Sequence, residues 1–466
     1  MVHFQLSLRI PICFIITIQG ITALAPQQIL TDNGDTHPAH LPSQQSTLSY
    51  WLREPSKALL GHHSTEELPS YADVVVVGSG IAGSFGAREL VQGGKNVLML
   101  EAREACSGAT GRNGGHCRPA IYSTTRPIAH FELDTYNFLK DLVAEHNISC
   151  DWQSAGAVLS FPSEEQSYAA AQKIEALRKT DLALASKVHH YNSTRDLNRL
   201  RLVNMAGAVE QPDAAKLWPY KLVAWVLERL LEAGPDRFNL QTNTPVETLQ
   251  KDGEYWLLKT QRGTVRAKDV LLATNAYTSH LLPKMKDLIY PVRAQVAALT
   301  PPADAIPLPH THVWYVGGEG LSSDVYLIQR PDDTLIIGGL RHSAPDGEER
   351  VDHDDTVNDI IRDQLYDACH DALKLRPRCA AEPVTLPSTM DWTGIMGFSK
   401  DEKPWVGSVP EILGGGKGLW IAAGFTGHGM PVAARSAMAM AQQIMGRPDE
   451  IRLPQEYLIT DERIHK

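Results

Sequence analysis

YADVVVVGSGIAGSFGARELVQGGKNVLMLE, residues Tyr71 to Glu101, is the stretch that decides the fold. Val74 to Val77 read as a strand buried on both faces, and Gly78, Gly80 and Gly83 fall where that strand turns into a helix. Gly78 permits the tight turn, Gly80 admits a pyrophosphate close to the backbone, and Gly83 lets the helix, read as Ile81 to Gln92, pack closely on the sheet. The helix N-terminus then presents unpaired N–H groups and a partial positive charge to phosphate. Gly93-Gly94 ends the helix, Val97 to Leu100 forms a second strand, and Glu101 stands at its end, placed to accept hydrogen bonds from ribose hydroxyls. An acid there suits an unphosphorylated adenosine ribose. The stretch specifies an ADP-like grip and by itself leaves NAD and FAD equally open.

The chain has 466 residues, 43% hydrophobic and 21% charged, the make-up of an ordinary globular protein long enough for two interleaved domains. Its formal charge of -10 is spread along the sequence, and no lysine and arginine cluster is interleaved with aromatics, which argues against nucleic acid as a partner. Its cysteines show no CxxC pairing and no metal-ligand spacing with the histidines, so no metal site is expected. Spacing leaves a Cys369–Cys379 disulfide open. Arg9, the apolar run Ile10 to Ile21 and Ala23-Leu24-Ala25 have the layout of a secretory signal peptide over residues 1–25, hence an expectation of secretion or lumenal entry. That run is too short and too interrupted for a stable membrane span. Sequons at Asn147 and Asn192 suit the same route. Residues 26–70, rich in Gln, Ser, Thr, His and Pro, read as a loosely ordered arm with Trp51-Leu52 as an anchor.

Beyond Glu101 the chain reads AREACSGATGRNGGHCRP, a loop too rich in glycine for regular structure and therefore expected to hold a ligand. Helical spacing follows at Ile128 to His146, Glu164 to Arg178 and Lys221 to Ala233, with sheet at Cys150 to Phe161 and a break at Val209 to Pro212. Phe238 to Leu240, Tyr255 to Lys259, Gly263 to Ala267 and Asp269 to Ala273 read as strands, the last arriving at a cofactor. From Pro291 to about Leu340, short strands such as Val325 to Arg330 and Thr334 to Gly338 suggest an antiparallel sheet. A helix is expected over Thr356 to Leu373. The chain closes with the strand Gly418 to Ala423 and GFTGHGMPVAARSAMAMAQQIMG, a glycine turn opening a small-residue helix.

Four blocks, VVVVGSGIAG with Glu101, SGATGRNGGH, VLLATNAYTSHLLP, and the pair DEKPWVGSVP and LWIAAGFTGHGM, together resemble the FAD-dependent amine and amino-acid oxidases grouped around D-amino-acid oxidase, glycine oxidase, monomeric sarcosine oxidase and gamma-glutamylputrescine oxidase. The GRNGG wording leans toward the last of these. The resemblance implies an α/β fold with a Rossmann-type FAD-binding domain and a second, substrate domain built on a mixed or antiparallel sheet. The boundaries expected are 71–120, 205–290 and 385–446 for the FAD-binding domain, 121–204 and 291–384 for the substrate domain, and 447–466 for a C-terminal tail.

By the same resemblance, FAD contacts come from Gly78, Ser79, Gly80, Ile81, Ala82 and Gly83, from Glu101, Ala102 and Arg103, and from Thr110, Arg112, Asn113, Gly114, Gly115 and His116 beside the pyrophosphate. Val246 meets the adenine and Thr274 lines the cofactor. Gly424, Thr426, Gly427, His428, Gly429 and Met430 bring a helix N-terminus to the flavin pyrimidine edge. Arg118 aligns with an arginine beside the flavin in sarcosine oxidase relatives, Tyr326 and Arg341 are expected to orient substrate, and Trp314 and Tyr315 to wall the pocket. His428 reads as structural or flavin-contacting rather than as a general base.

Positioning and desolvation carry most of such chemistry, since a neutral amine held against the ring passes a hydride to it. The implied activity is oxidation of an amine or amino-acid C–N bond to an imine, with O2, giving H2O2, or another electron acceptor. Two departures matter. Gly394 stands near the place of the cysteine that attaches FAD in sarcosine oxidase, and Arg112 near that of a histidine used by other relatives, so FAD is expected to be non-covalent. Pro431 stands where a lysine binds the substrate carboxylate, which favours a larger or decarboxylated amine. A flavin monooxygenase or halogenase also begins with GxGxxG, but no second nucleotide motif for NAD(P)H is present. A non-catalytic flavin-binding secreted protein is the remaining alternative. Oligomeric state is not readable.

Overall fold

The structure, a computed structural model, describes residues 36–316, 323–377, 380–447 and 450–465. The segment 1–25 expected to be a signal peptide lies outside these residues, as does Cys379 of the Cys369–Cys379 pair.

The described strands form two eight-stranded sheets and a small three-stranded one. In the first, Tyr71–Val77 lies between Gly263–Leu272 and Val97–Leu100, all parallel, and Phe238–Gln241 continues the parallel run beyond Val97–Leu100. Its valines are enclosed on both faces, Val74 and Val76 among residues of the covering helices such as Phe85 and Ala437, Val75 and Val77 among Trp256, Leu258 and Trp405. Ile81–Gln92 lies against Ala433–Ile444, with Gly86 meeting Leu271 and Ala437 so that the two helices sit close on the strands. The strands expected at Gly263 to Ala267 and Asp269 to Ala273 are one, Gly263–Leu272. Its first half pairs antiparallel with Tyr255–Thr260, and its second half pairs parallel with Leu419–Ala423, so partners change while the strand runs on.

The second sheet runs in the order Ser388–Ser399, Ile289–Leu299, Leu335–Gly339, Ser323–Gln329, Thr311–Val316, Ala157–Phe161, Gly207–Gln211, His189–Tyr191. It is mixed, because Thr311–Val316 and Ala157–Phe161 pair in parallel among otherwise antiparallel neighbours. Of Val209 to Pro212, read as a break, Val209 to Gln211 belong to the strand Gly207–Gln211 and Pro212 follows its end. That strand and Ser388–Ser399 are in the second sheet, so sheet membership does not follow the expected divisions at 205 and 385. The helix read over Thr356 to Leu373 is confined to Asp359–Asp367, where Asn358 Oδ1 accepts from the amides of Ile360 and Ile361 and fixes the start.

The arm departs most from expectation, for residues 36–70 are packed onto both sheets rather than loose. Trp51 is 0% exposed, edge-on to Tyr50 and Trp218, and its indole donates to the Asn113 carbonyl. Trp218 donates to the Trp51 carbonyl at 2.7 Å. Fully burying such rings stabilises by several kcal/mol, on the order of 3–5 each by the cost of truncating them, which outweighs the polar composition of the segment. Among the described residues no helix is long and apolar enough to cross a membrane.

Candidate active site

A cavity of about 600 Å³ runs between the two sheets. One end is built from the opening motif. Gly78 has φ +103, and a Cβ there would stand 2.7 Å from the Ala273 carbonyl oxygen, so only glycine makes the turn. Gly80, Ile81 and Ala82 line the cavity at the start of the helix. The Ile81 amide donates to Thr110 Oγ1 at 3.1 Å, while the amides of Gly80 and Ala82 have no partner among the described residues and remain for phosphate. Gly83 faces the Gly78 carbonyl and Ala273 instead of the cavity, a packing role. Glu101 accepts from the Ser79 amide at 2.9 Å, the Ser79 hydroxyl at 2.6 Å and the Arg103 amide at 2.9 Å. An ionised carboxylate has about four lone-pair sites, so one remains for a ribose hydroxyl. Ala102, Arg103, Thr110, Asn113, Gly114, Val246 and Thr274 also line the wall, so this side of the cavity could hold a dinucleotide.

Three expected contacts do something else. Arg112 is 2% exposed, and all five of its N–H donors are taken: Nε by the Ser107 carbonyl and Asp354, the rest by Thr47, Ser46 and the Thr393 carbonyl. It borders the cavity with no donor left for a ligand. Burial pulls its guanidinium down to about 10, against the pull of Asp354. Asp354 also chelates Arg103, at 2.8 and 3.0 Å, so one buried carboxylate holds two arginines. Gly115 is outside the cavity wall; with φ +68 it leaves room for the Trp51 ring, 2.6 Å from where a Cβ would lie. Gly424 is likewise outside the wall, its amide donating to Asn275 Oδ1 at 3.1 Å.

The other end gathers the remaining groups. Arg118 lines it and has no hydrogen bond or ion pair to any described residue. His116 is held neutral, its pKa well below the usual range because of burial and then the Arg118 charge, and its Nε2 lies 2.6 Å from Thr311 Oγ1. Tyr326 is pinned between Gly114 and Gly338: a Cβ on either would stand 2.2–2.3 Å from it. Burial pushes its phenol up. Arg341 lines the cavity while tied to Glu349 at 3.3 Å and to the Gly347 carbonyl at 3.0 Å. Tyr315 lines the wall, whereas Trp314 points the other way into the core at 2% exposure, as strand alternation requires of neighbours.

Thr426, Gly427, His428, Gly429, Met430 and Pro431 form the cavity side of the closing turn. The helix proper begins at Ala433, so this turn precedes the helix N-terminus rather than forming it. The amides of Gly427, Gly429 and Met430 donate to no described residue. His428 Nε2 lies 2.7 Å from Glu132 Oε2, and that oxygen also accepts from the Ala120 amide at 2.7 Å. A carboxylate only accepts, so Nε2 carries the proton and Nδ1 is the free nitrogen. Glu132 and Asp354 carry no local motif in the sequence, and Asn275 lies within the VLLATNAYTSHLLP block without having been singled out; each acts through a partner far along the chain. No described cysteine lines the cavity, and burial pushes the thiols of Cys106, Cys117, Cys150 and Cys369 up, leaving them inert.

Comparison with known proteins agrees with this geometry. The family profile described as FAD dependent oxidoreductase matches residues 73–443. Glycine oxidase of Pseudomonas aeruginosa is 27% identical over 391 residues, covering 80% of this chain and 95% of its own. Gamma-glutamylputrescine oxidoreductase of Escherichia coli is 23% identical over 221 residues, covering 44% and 49%. The crystal structure of glycine oxidase from Geobacillus kaustophilus superposes with a TM-score of 0.69 at 20% identity, covering 84% of this chain and 99% of that one.

Proposed function

The chain belongs to the family of FAD dependent oxidoreductases, and on that premise we propose that it oxidises the C–N bond of an amine or amino-acid-like substrate to an imine, which water then hydrolyses. The observation that carries the reading is the end of the cavity where an unpartnered Arg118 and a His428 held by buried Glu132 meet an apolar wall. The cradle at Gly78–Ala82 and Glu101 fits the ADP half of the cofactor, with amides and a lone-pair site left over. When bound, FAD supplies a two-electron acceptor for hydride.

The protein's own part is binding, orientation and proton handling. Val296, Val313, Leu340 and Ile395 line the wall and exclude water, which strengthens every polar contact inside. The free Arg118 guanidinium takes an anionic or polar group of the substrate, and Tyr326, immobilised by Gly114 and Gly338, holds the substrate face. His428 Nδ1 accepts the proton of a substrate ammonium, leaving the neutral amine that oxidation requires; Glu132 stabilises the imidazolium so formed. Pro431 in the wall offers no second cation, which supports a larger or decarboxylated amine over a small free amino acid.

We assign O2 as the acceptor, giving H2O2, and non-covalent attachment of FAD, the latter supported by the absence of described cysteines from the cavity wall. The test is an anaerobic panel of amines and N-methyl amino acids. Bleaching of the flavin by at least one class, followed by peroxide on admitting air, is expected. No bleaching by any member overturns the activity, and bleaching without peroxide assigns a different acceptor.

A further inference from the structure

The family match begins at residue 73, yet part of the cavity wall comes from before it. Leu41 and Pro42 border the cavity, and the adjoining Ser43 carbonyl accepts from Arg103 Nη1 at 3.4 Å, the residue whose amide donates to Glu101 at 2.9 Å. This is the end marked by Glu101, where an acid after the second strand meets the ribose of an adenosine. The segment is fastened on both sides of Leu41-Pro42. Before them, the Ala39 amide donates to Ser279 Oγ at 2.9 Å and the His40 amide to Asp352 at 2.8 Å. After them, Ser43 Oγ donates to Asp354 Oδ1 at 3.0 Å and the Thr47 amide to the Asp354 carbonyl at 2.7 Å. Asp354 in turn holds Arg103 and Arg112, which belong to the cofactor loop itself. A segment of loose composition is thus fixed by polar contacts on both sides of Leu41-Pro42, beside the end that carries Glu101.

We propose that residues 38–47 are a strap completing the FAD site, with Leu41 and Pro42 covering the adenosine and Asp354 acting as the latch. Apolar cover at this end excludes water from the adenine and ribose, and it slows release of a cofactor that has no covalent tether.

The experiment compares holoprotein carrying Leu41→Ala with Pro42→Ala, the latch variant Asp354→Asn, and Leu48→Ser, an arm residue 64% exposed and away from the cavity. FAD release is followed by the rise in flavin fluorescence, and ADP, which carries only the adenosine half, is titrated against the apoproteins. The strap variant is expected to lose about tenfold in both FAD retention and ADP affinity, with Leu48→Ser unchanged. Wild-type retention of both ligands by the strap variant overturns the proposal, as does equal loss in Leu48→Ser. Asp354→Asn should act in the same direction. Should it fail to fold, wild-type protein gives an independent reading: ADP is expected to slow amide hydrogen exchange across 38–47, and unchanged exchange overturns the strap.

Discussion

Replacing Glu132 with Gln tests the proton-handling assignment most directly. The carboxylate is 3% exposed and one of its oxygens accepts from both His428 Nε2 and the Ala120 amide. An amide oxygen still has two lone pairs and can accept from both groups, but it carries no charge, so the bond to His428 is no longer charge-assisted and the imidazolium loses its counter-charge. Losing one charge-assisted hydrogen bond is worth about 1.5–3 kcal/mol, which corresponds to about 10- to 150-fold in rate if the bond matters in the transition state. The assay is anaerobic stopped-flow bleaching with the best substrate from the amine panel. The variant should be slower, while its unfolding temperature and bound FAD stay near wild type. Bleaching at the wild-type rate would refute the reasoning.

Other outcomes follow from the same geometry. His312 is buried with neither ring nitrogen bonded, and burial pulls its pKa down to about 3. The unfolded chain therefore binds a proton below about 6.5 that the folded one refuses, and stability is lost as pH falls, by about 1.4 kcal/mol per pH unit from this residue; His312→Leu should lessen the difference in denaturation midpoint between pH 8 and pH 5. Gly114→Ala places a Cβ 2.2 Å from the Tyr326 ring and should destabilise by about 1–3 kcal/mol, a loss that Tyr326→Ala in the same chain relieves if the clash is the cause. Arg118→Met should weaken binding of carboxylate inhibitors about tenfold or more, by absorbance titration, while FAD loading is unchanged. Denaturing the holoprotein in acid should leave all flavin in the supernatant, and yellow pellets would refute non-covalent attachment.

What the sequence made legible is what local physics encodes. Strand, glycine turn, helix and terminal acid sit in one stretch, so Ile81–Gln92 and Val97–Leu100 were readable to the residue. The GFTGHGM turn, read as a ligand turn on the same grounds, lines the cavity from Phe425 to Met430. Period alone says that either Trp314 or Tyr315 faces the cavity, but not which, because that depends on which side the opposing sheet lies. Arg112 looked like a ligand contact because it sits in a glycine loop. Its donors are in fact claimed by Thr47 and by the Thr393 carbonyl, 281 residues away, and no spacing rule reaches that far. The arm looked loose because composition counts polar residues, whereas order there rests on Tyr50 and Trp51 finding a pocket made by Trp218 and Trp392.

Those long reaches bear on how the protein is made. Thr47 meets Thr393 across 346 residues, and the strand Gly263–Leu272 waits for both Tyr71–Val77 and Leu419–Ala423. Contacts so distant close only after a large entropic cost, and chains dominated by them fold slowly. The cofactor loop cannot acquire its final shape on the ribosome until nearly all of the chain has emerged. Loading with FAD is therefore a late event, and because a ligand that binds only the native state draws the equilibrium toward it, the recovery of refolded protein should rise with the FAD concentration present.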